Sequence, residues 1–168
     1  DREAELVGRW SNCAGVPVVT TGLAVVDALN VLGARKVGFV SCYPPALTKA
    51  SNAYWESHGF EIGQVAGSFN EDSNFHPIYS LLASNASEAL AKLRGPEHDA
   101  IVMLGTGMPT LKPIADVVGD GGPPVLSCML CLAWRSVQQI KRQTPSIKTL
   151  RAWSSGDGWV ERLAAQSI

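Results

Sequence analysis

Short, almost wholly apolar runs alternate along the chain with longer segments in which apolar residues recur at helical spacing. Runs of this kind are typical of strands buried on both faces of a sheet. The predicted strands cover residues 16–20, 37–41, 60–66, 100–104 and 124–127. The predicted helices cover residues 2–13, 23–32, 44–58, 78–93, 111–118 and 130–141, with a polar loop at 67–74 and an ambiguous stretch from Gln143 onward. The alternation predicts the α/β class, with a parallel sheet covered on both faces.

Two pairs of segments repeat weakly within this pattern. Residues 15–21 resemble residues 122–128, and each segment leads straight into a predicted helix. Residues 39–45 resemble residues 103–109 in the same way. The repeats suggest two similar lobes, an arrangement that usually places a site in the cleft between them.

Composition and charge narrow the class of protein. The chain has 168 residues, of which 46% are apolar and 17% charged, and this is enough for one domain or two small lobes. A net charge of −1 argues against a nucleic-acid or anionic-membrane partner, because such partners select clustered positive charge. No apolar run approaches the roughly 18 to 20 residues of a membrane span. With no secretory signal visible and cysteines expected to stay reduced, the predicted location is the cytoplasm.

The cysteines and histidines do not predict a metal site. Cys128 and Cys131 form a C-x-x-C pair, but neither a second pair nor a histidine lies near them in sequence. Both are interpreted as small buried apolar residues.

Small polar residues follow four of the predicted strands. Parallel α/β sheets bind ligands beyond the carboxyl ends of their strands, where helix N–H groups point outward. The segments there carry hydroxyl, thiol or glycine residues and no Lys or Arg: 20–22, 41–43, 105–107 and 127–128. They suit a carboxylate at least as well as a phosphate, and no nucleotide-binding glycine motif appears.

Each of these residues also has a purely structural interpretation. A threonine at a strand end often caps a helix, and Gly105 and Gly107 are both compatible with a tight turn. Tyr43 lies between a strand and a double proline, so its phenol either packs or points into the cleft. The sequence leaves these alternatives open.

An ordered set of motifs runs along the chain: residues 15–21, 24–29, 32–37, 42–44, 99–110 and 124–127, followed by Trp134. This set resembles the Asp/Glu racemase superfamily, in particular its maleate cis-trans isomerase and arylmalonate decarboxylase branches. The similarity extends over roughly residues 4 to 140.

The resemblance implies two pseudo-symmetric parallel-sheet lobes with the site between them and no cofactor or metal. The first lobe would comprise residues 1–33 and 119–168, and the second residues 34–118. The first lobe would be incomplete, because the N-terminal strands of the family, with the first catalytic cysteine, would precede residue 1. The family typically uses two cysteines that face each other across the substrate.

The resemblance also implies roles for particular residues. Tyr43 would donate a hydrogen bond to a substrate carboxylate, and the position of the second catalytic cysteine falls on Gly105. The loop at 105–107 resembles instead a Gly-Thr-Ser loop that binds a carboxylate in the decarboxylase branch. The family's asparagine after the last strand is Met129 here. The substrate-binding residues implied are Thr20, Thr21, Thr106, Gly107 and Ser127.

These expectations combine into one functional hypothesis with open alternatives. We expect a cofactor-independent isomerase or racemase that acts on a small carboxylate or dicarboxylate by thiol-based proton transfer or addition. The alternatives are an arylmalonate-type decarboxylase, a catalytically inactive carboxylate-binding relative, and an unrelated flavodoxin-like domain. The expected partner is the small carboxylate, with no nucleic acid and no membrane, and assembly into a homo-oligomer is left open.

Overall fold

Four parallel strands form a single sheet in the order β2-β1-β3-β4. The structure, a computed structural model, describes residues 2–68 and 81–166. The strands are β1 (Lys36–Ser41), β2 (Glu61–Gly67), β3 (Ala100–Met103) and β4 (Val125–Ser127). The helices are α1 (Arg2–Ala14), α2 (Thr21–Leu32), α3 (Pro45–Ser57), α4 (Ala83–Ala91), α5 (Leu111–Asp116), α6 (Cys128–Ile140), α7 (Ile147–Ser154) and α8 (Val160–Ala165). The predicted α/β class is confirmed.

The two central strands hold the core. Every residue of β3, and every residue of β1 after Lys36, is buried. Phe39, Ile101 and Leu126 are fully inaccessible to solvent. Strands covered by helices on both faces need apolar residues at every position, and this is why the apolar runs are continuous rather than alternating.

The strand order reverses direction between β1 and β3. The chain passes from β1 to β2 on one side and then adds β3 and β4 on the other side. Because such connections are right-handed, α3 lies on one face of the sheet and α5 on the opposite face. The carboxyl ends of β1 and β3 therefore feed segments that diverge, and a crevice opens between them.

The two helices that follow the repeated segments begin in the same way. The Thr20 hydroxyl accepts a hydrogen bond from the Leu23 N–H at the start of α2, and the Ser127 hydroxyl accepts one from the Leu130 N–H at the start of α6. Such caps satisfy one of the free N–H groups of a helix. The helices α2 and α6 pack against each other.

The predicted strand at residues 16–20 is wrong. This segment is extended at Thr20, but it belongs to no sheet within the described chain. The Val18 N–H donates to Ser11 Oγ at 2.9 Å instead of to a neighbouring strand. Valine-rich sequence favours extended backbone, whereas a strand also requires a partner for its ladder.

Other boundaries also differ from the prediction. The helix predicted for 78–93 is observed as α4, which begins at Ala83 and is nine residues long; positions 78–80 lie outside the described residues. At its start, Asn85 Oδ1 accepts a hydrogen bond from the Leu82 N–H. An asparagine bonded in this way offers the backbone a helix start at that point. The helix predicted for 111–118 ends at Asp116, and the ambiguous tail forms α7 and α8. The predicted polar loop begins only after Gly67, which closes β2, and residues 69–74 lie outside the described part of the chain.

Among the helices within residues 2–68 and 81–166, none has the length and apolar character needed to cross a membrane.

We expect Gly63→Ala to destabilise the fold by about 1–3 kcal/mol because it overpacks the core. A methyl group at Gly63 would lie 2.5 Å from Cδ2 of His98. That imidazole is buried and its Nε2 accepts from the Gln64 N–H at 3.1 Å, so it has little freedom to move. The matched control is Gly67→Ala in the same strand, where no atom lies within 4 Å of the added carbon. Equal free energies of unfolding for the two variants in urea would contradict the prediction.

Candidate active site

A cavity of about 400 Å³ opens at the carboxyl ends of the strands. One wall is a face of α3, and the rest comes from the start of α2 and from the segments that follow β1, β3 and β4. We call it the strand-end cavity; its lining residues are Thr21, Gly22, Tyr43, Leu47, Ala50, Ser51, Tyr54, Trp55, Leu104, Thr106 and Cys128. It lies at the reversal of strand order, where ligands of α/β sheets usually bind.

Tyr43 extends from the end of β1 into this cavity. Its N–H donates to Ser41 Oγ at 3.2 Å, and the prolines that follow start α3 directly. Burial raises the pKa of the phenol to about 12, with smaller contributions from the thiols of Cys128 and Cys42, while the backbone amide of Gly105 acts in the opposite direction. At neutral pH the phenol is therefore a hydrogen-bond donor and carries no charge.

Gly105 follows β3 and has no space for a side chain. Its backbone is left-handed, with φ of 93°, and a Cβ added there would overlap the Sγ of Cys42. Cys42 is buried, and its thiol donates to the carbonyl of Leu104 at 3.6 Å. The thiol of Cys42 thus occupies the volume that a side chain at position 105 would need.

Cys128 is the first residue of α6 and contributes its thiol to the cavity. It is buried, as the sequence predicted for a small apolar residue, but it also lines the cavity. Burial raises the pKa of the thiol, and the backbone amide of Gly105 partly offsets this rise. Cys131, one turn further along α6, is fully buried and is not part of the lining.

The structure brings some of the predicted site residues together and gives others a structural position. Thr21, Tyr43 and Thr106 line the strand-end cavity. Thr20 and Ser127 cap helices, and Gly107 does not contribute to the lining. The roles assigned to these residues from the sequence stay predictions.

A carboxylate of the chain itself lies beside the cavity. Glu3 Oε1 accepts from the Thr20 hydroxyl at 2.7 Å, and Glu3 Oε2 accepts from the Tyr54 hydroxyl at 2.7 Å. Burial and the hydrogen bond to Glu3 raise the pKa of Tyr54. The residues that join in this contact lie far apart in sequence, so nothing in the sequence pattern indicated it.

The α3 wall, in contrast, was visible in the sequence. Leu47, Ala50, Ser51 and Tyr54 have the spacing of one helical face. Sequence analysis missed them because it looked for chemistry only at strand ends. They supply a mainly apolar wall.

A larger groove of about 800 Å³ lies on the other side of α3, against the edge strand β2. It includes Lys49 and Glu56 but no thiol, and of the predicted site residues it contains only Tyr43. The strand-end cavity is therefore the candidate site. Across residues 2–68 and 81–166, the His, Cys, Asp and Glu side chains form no group of three or more able to hold a metal ion.

The fold is shared with solved enzymes of the Asp/Glu racemase superfamily. An arylmalonate decarboxylase structure superposes with a TM-score of 0.72 at 19% identity, covering 88% of this chain and 64% of that one. A maleate isomerase from Pseudomonas putida S16, solved with maleate, superposes with a TM-score of 0.70 at 25% identity, covering 88% and 58%. The fold is therefore that of this superfamily.

The sequence comparisons agree with the fold. A curated maleate isomerase from Alcaligenes faecalis is 28% identical over 134 residues, which are 79% of this chain and 52% of that protein. The sequence profile of the arylmalonate decarboxylase family matches residues 1–150. The chain belongs to this family, and the alternative of an unrelated flavodoxin-like domain is thereby set aside.

The chain spans about half the length of that curated relative and less than two thirds of the two solved enzymes. A further relative of known structure, at 22% identity and a TM-score of 0.71, is a maleate cis-trans isomerase from Nocardia farcinica, solved with a covalently bound succinylcysteine intermediate.

We expect Gly105→Ala to destabilise the protein more than Gly33→Ala, by about 1–3 kcal/mol. Both glycines are left-handed, so both variants carry the backbone strain of a side chain at positive φ. Only the methyl group at position 105 meets another residue, Cys42, because nothing lies within 4 Å of the one at position 33. Gly105→Ala should cost less stability when Cys42 is already alanine. The double variant Cys42→Ala/Gly105→Ala should therefore differ from Cys42→Ala by less than Gly105→Ala differs from the wild type. Free energies of unfolding from denaturant titration test this, and equal losses at the two glycines would contradict it.

Proposed function

We propose that this chain forms part of a cofactor-independent isomerase or racemase that acts on a small carboxylate or dicarboxylate by thiol-based chemistry. The observation that carries the proposal is the composition of the strand-end cavity. A neutral phenol, two threonine hydroxyls and a thiol meet there: Tyr43, Thr21, Thr106 and Cys128. Hydroxyl donors suit the carboxylate, and a thiol suits proton transfer or addition at the neighbouring carbon.

The hydrogen-bond donors that surround the cavity support carboxylate binding. Hydrogen bonds to a charged group contribute roughly 1.5–3 kcal/mol each. The free N–H groups at the starts of α2 and α6 add a favourable dipole for an anion. The hydroxyls of Thr20 and Tyr54 already donate to Glu3, so the hydroxyls left for a substrate carboxylate are those of Tyr43, Thr21 and Thr106.

Thiol chemistry is supported by the relatives. The intermediate captured in the isomerase from Nocardia farcinica is a cysteine adduct of a small carboxylate. A cysteine in a cavity with hydrogen-bond donors is suited to thiol chemistry on a small carboxylate, by addition or by proton transfer. Its substrate class would then be small carboxylates such as maleate, the substrate bound in the isomerase from Pseudomonas putida.

Decarboxylation of a substituted malonate is the second candidate. It is favoured by Gly105, which leaves Cys128 as the one thiol that lines the cavity among the described residues. Loss of carbon dioxide requires a single proton donor for the carbanion, whereas two-base isomerisation requires a thiol on each side of the substrate.

The proposal includes the organisation of the protein. Residues 1–33 and 119–168 would form one lobe and residues 34–118 the other, with β4 of the first lobe pairing with β3 and so extending the sheet of the second. The packing and similar capping of α2 and α6 support a pairing of the first two segments. The cysteines are all free thiols, which suits a reducing cytoplasm.

The test is an activity screen on the complete protein that contains this chain. Maleate, aspartate, glutamate, hydantoins and substituted malonates are offered in deuterated water, and deuterium at the α-carbon is followed by NMR. We expect exchange, isomerisation or decarboxylation with at least one carboxylate. Binding of carboxylates without turnover would favour the catalytically inactive relative. The proposal would be overturned if the protein showed no binding and no turnover of any of these carboxylates.

We expect Tyr43→Phe to lower kcat/KM about tenfold or more, because it removes a hydrogen bond to a charged carboxylate. Ser57→Ala is the matched control, since it removes an exposed hydroxyl from the far end of α3. Circular dichroism verifies that both variants are folded. An unchanged kcat/KM in Tyr43→Phe would remove the proposed role of the phenol.

A further inference from the structure

We propose that Cys128 is the thiol that delivers a proton to the substrate carbon, in place of a side chain at position 105. The proposal rests on the proposed function, because it presupposes a small carboxylate bound in the strand-end cavity. It assigns the acid to the segment after β4, whereas the family resemblance points to the segment after β3.

The register of the sheet brings the two positions together. Met103 of β3 pairs with Ser127 of β4, so the residues that follow these strands emerge side by side. Cys128 comes directly after Ser127, and Gly105 lies two residues beyond Met103. The backbone amide of Gly105 is close enough to the Cys128 thiol to stabilise its charged form. The thiol of Cys128, one strand away from Gly105, therefore lines the strand-end cavity, whereas position 105 does not.

The other thiols near the site are excluded by their contacts. Cys42 donates to the Leu104 carbonyl and does not line the cavity. Cys131 is fully buried within α6. Cys128, in contrast, shares the cavity with Tyr43 and Thr106, the two groups placed to hold a carboxylate.

The surroundings of Cys128 suit an acid better than a resting nucleophile. Burial raises its pKa, so the sulfur keeps its proton at neutral pH. Once the proton has left, the thiolate lies at the first position of the 13-residue helix α6, whose free N–H groups favour negative charge. The same position therefore holds the proton at rest and stabilises the anion that forms.

The step balances without a cofactor. When a carboxylate leaves as carbon dioxide, the electron pair of the broken C–C bond stays on the substrate as an enediolate. The S–H bond of Cys128 breaks, its proton forms the new C–H bond, and its electron pair stays on sulfur as thiolate. Solvent water then returns a proton to the thiolate.

The decisive variant is Cys128→Ser in the complete protein, assayed with whichever carboxylate the wild type turns over. A hydroxyl fills nearly the same space but is a far weaker acid than a thiol. We expect kcat to fall about 100-fold to 10,000-fold while KM changes less than threefold. With a malonate whose product is chiral, the remaining product should lose its enantiomeric excess, because water then protonates either face.

Two further variants make the result specific. Cys131→Ala changes a buried cysteine of the same helix outside the cavity and should leave kcat unchanged. Cys128→Ala tests the loss of the thiol without adding a hydroxyl and should behave as Cys128→Ser does. Circular dichroism and the unchanged KM establish that the variants are folded. If Cys128→Ser and Cys128→Ala keep the wild-type kcat and stereochemistry, the proposal is overturned.

Alkylation provides a readout that does not depend on turnover. Iodoacetamide modification of the wild-type protein is carried out at alkaline pH, where the Cys128 thiol ionises, and is mapped by peptide mass spectrometry. It should slow at Cys128 at least tenfold when maleate or a substituted malonate saturates the site. The exposed Cys13 is the internal control and should react equally with and without the carboxylate. Equal modification of Cys128 with and without the carboxylate would contradict its position beside the substrate.

The two proposals fail in different ways. Turnover that persists without Cys128 would overturn this inference alone, whereas no binding of any carboxylate would overturn the proposed function.

Discussion

The reversal of strand order between β1 and β3 is the constraint on which the site depends. Right-handed connections send α3 to one face of the sheet and α5 to the other, so the two central strands end at a crevice. The segments after β1, β3 and β4 open into it, and the N-terminus of α2 closes its edge. A sheet without the reversal would cover these strand ends with helices from one direction and leave no such opening.

Within the crevice, the contact between Cys42 and Gly105 decides which groups face the ligand. The buried thiol of Cys42 fills the volume beside Gly105, so position 105 contributes only its backbone amide. That amide lies beside both the phenol of Tyr43 and the thiol of Cys128. A glycine where the family resemblance expects a cysteine therefore does not empty the site, because a thiol from the neighbouring strand end occupies it.

In the role proposed for Cys128, the chemistry moves between adjacent strand ends while the fold is kept. The residues that follow neighbouring parallel strands lie at the same edge of the sheet, about 5 Å apart, which is the distance between the strands. A functional group lost after one strand can be replaced after the next with no change in topology. Family membership alone thus identifies the fold and the kind of site, whereas the residue that acts has to be found in the structure.

The sequence by itself determined the α/β class and four of the strands, because these follow from apolar runs. Whether Thr20 and Ser127 cap helices was decided by the structure. The sequence also singled out Thr21, Tyr43 and Thr106 as candidate site residues, and the structure places all three in one cavity. It failed at residues 16–20, where the pattern favoured a strand but no ladder partner lies within the described residues. Only the tertiary structure decided that Cys128 faces the cavity and Cys42 does not, and that Thr20 holds Glu3. These outcomes depend on contacts between residues distant in sequence, which the local pattern does not encode.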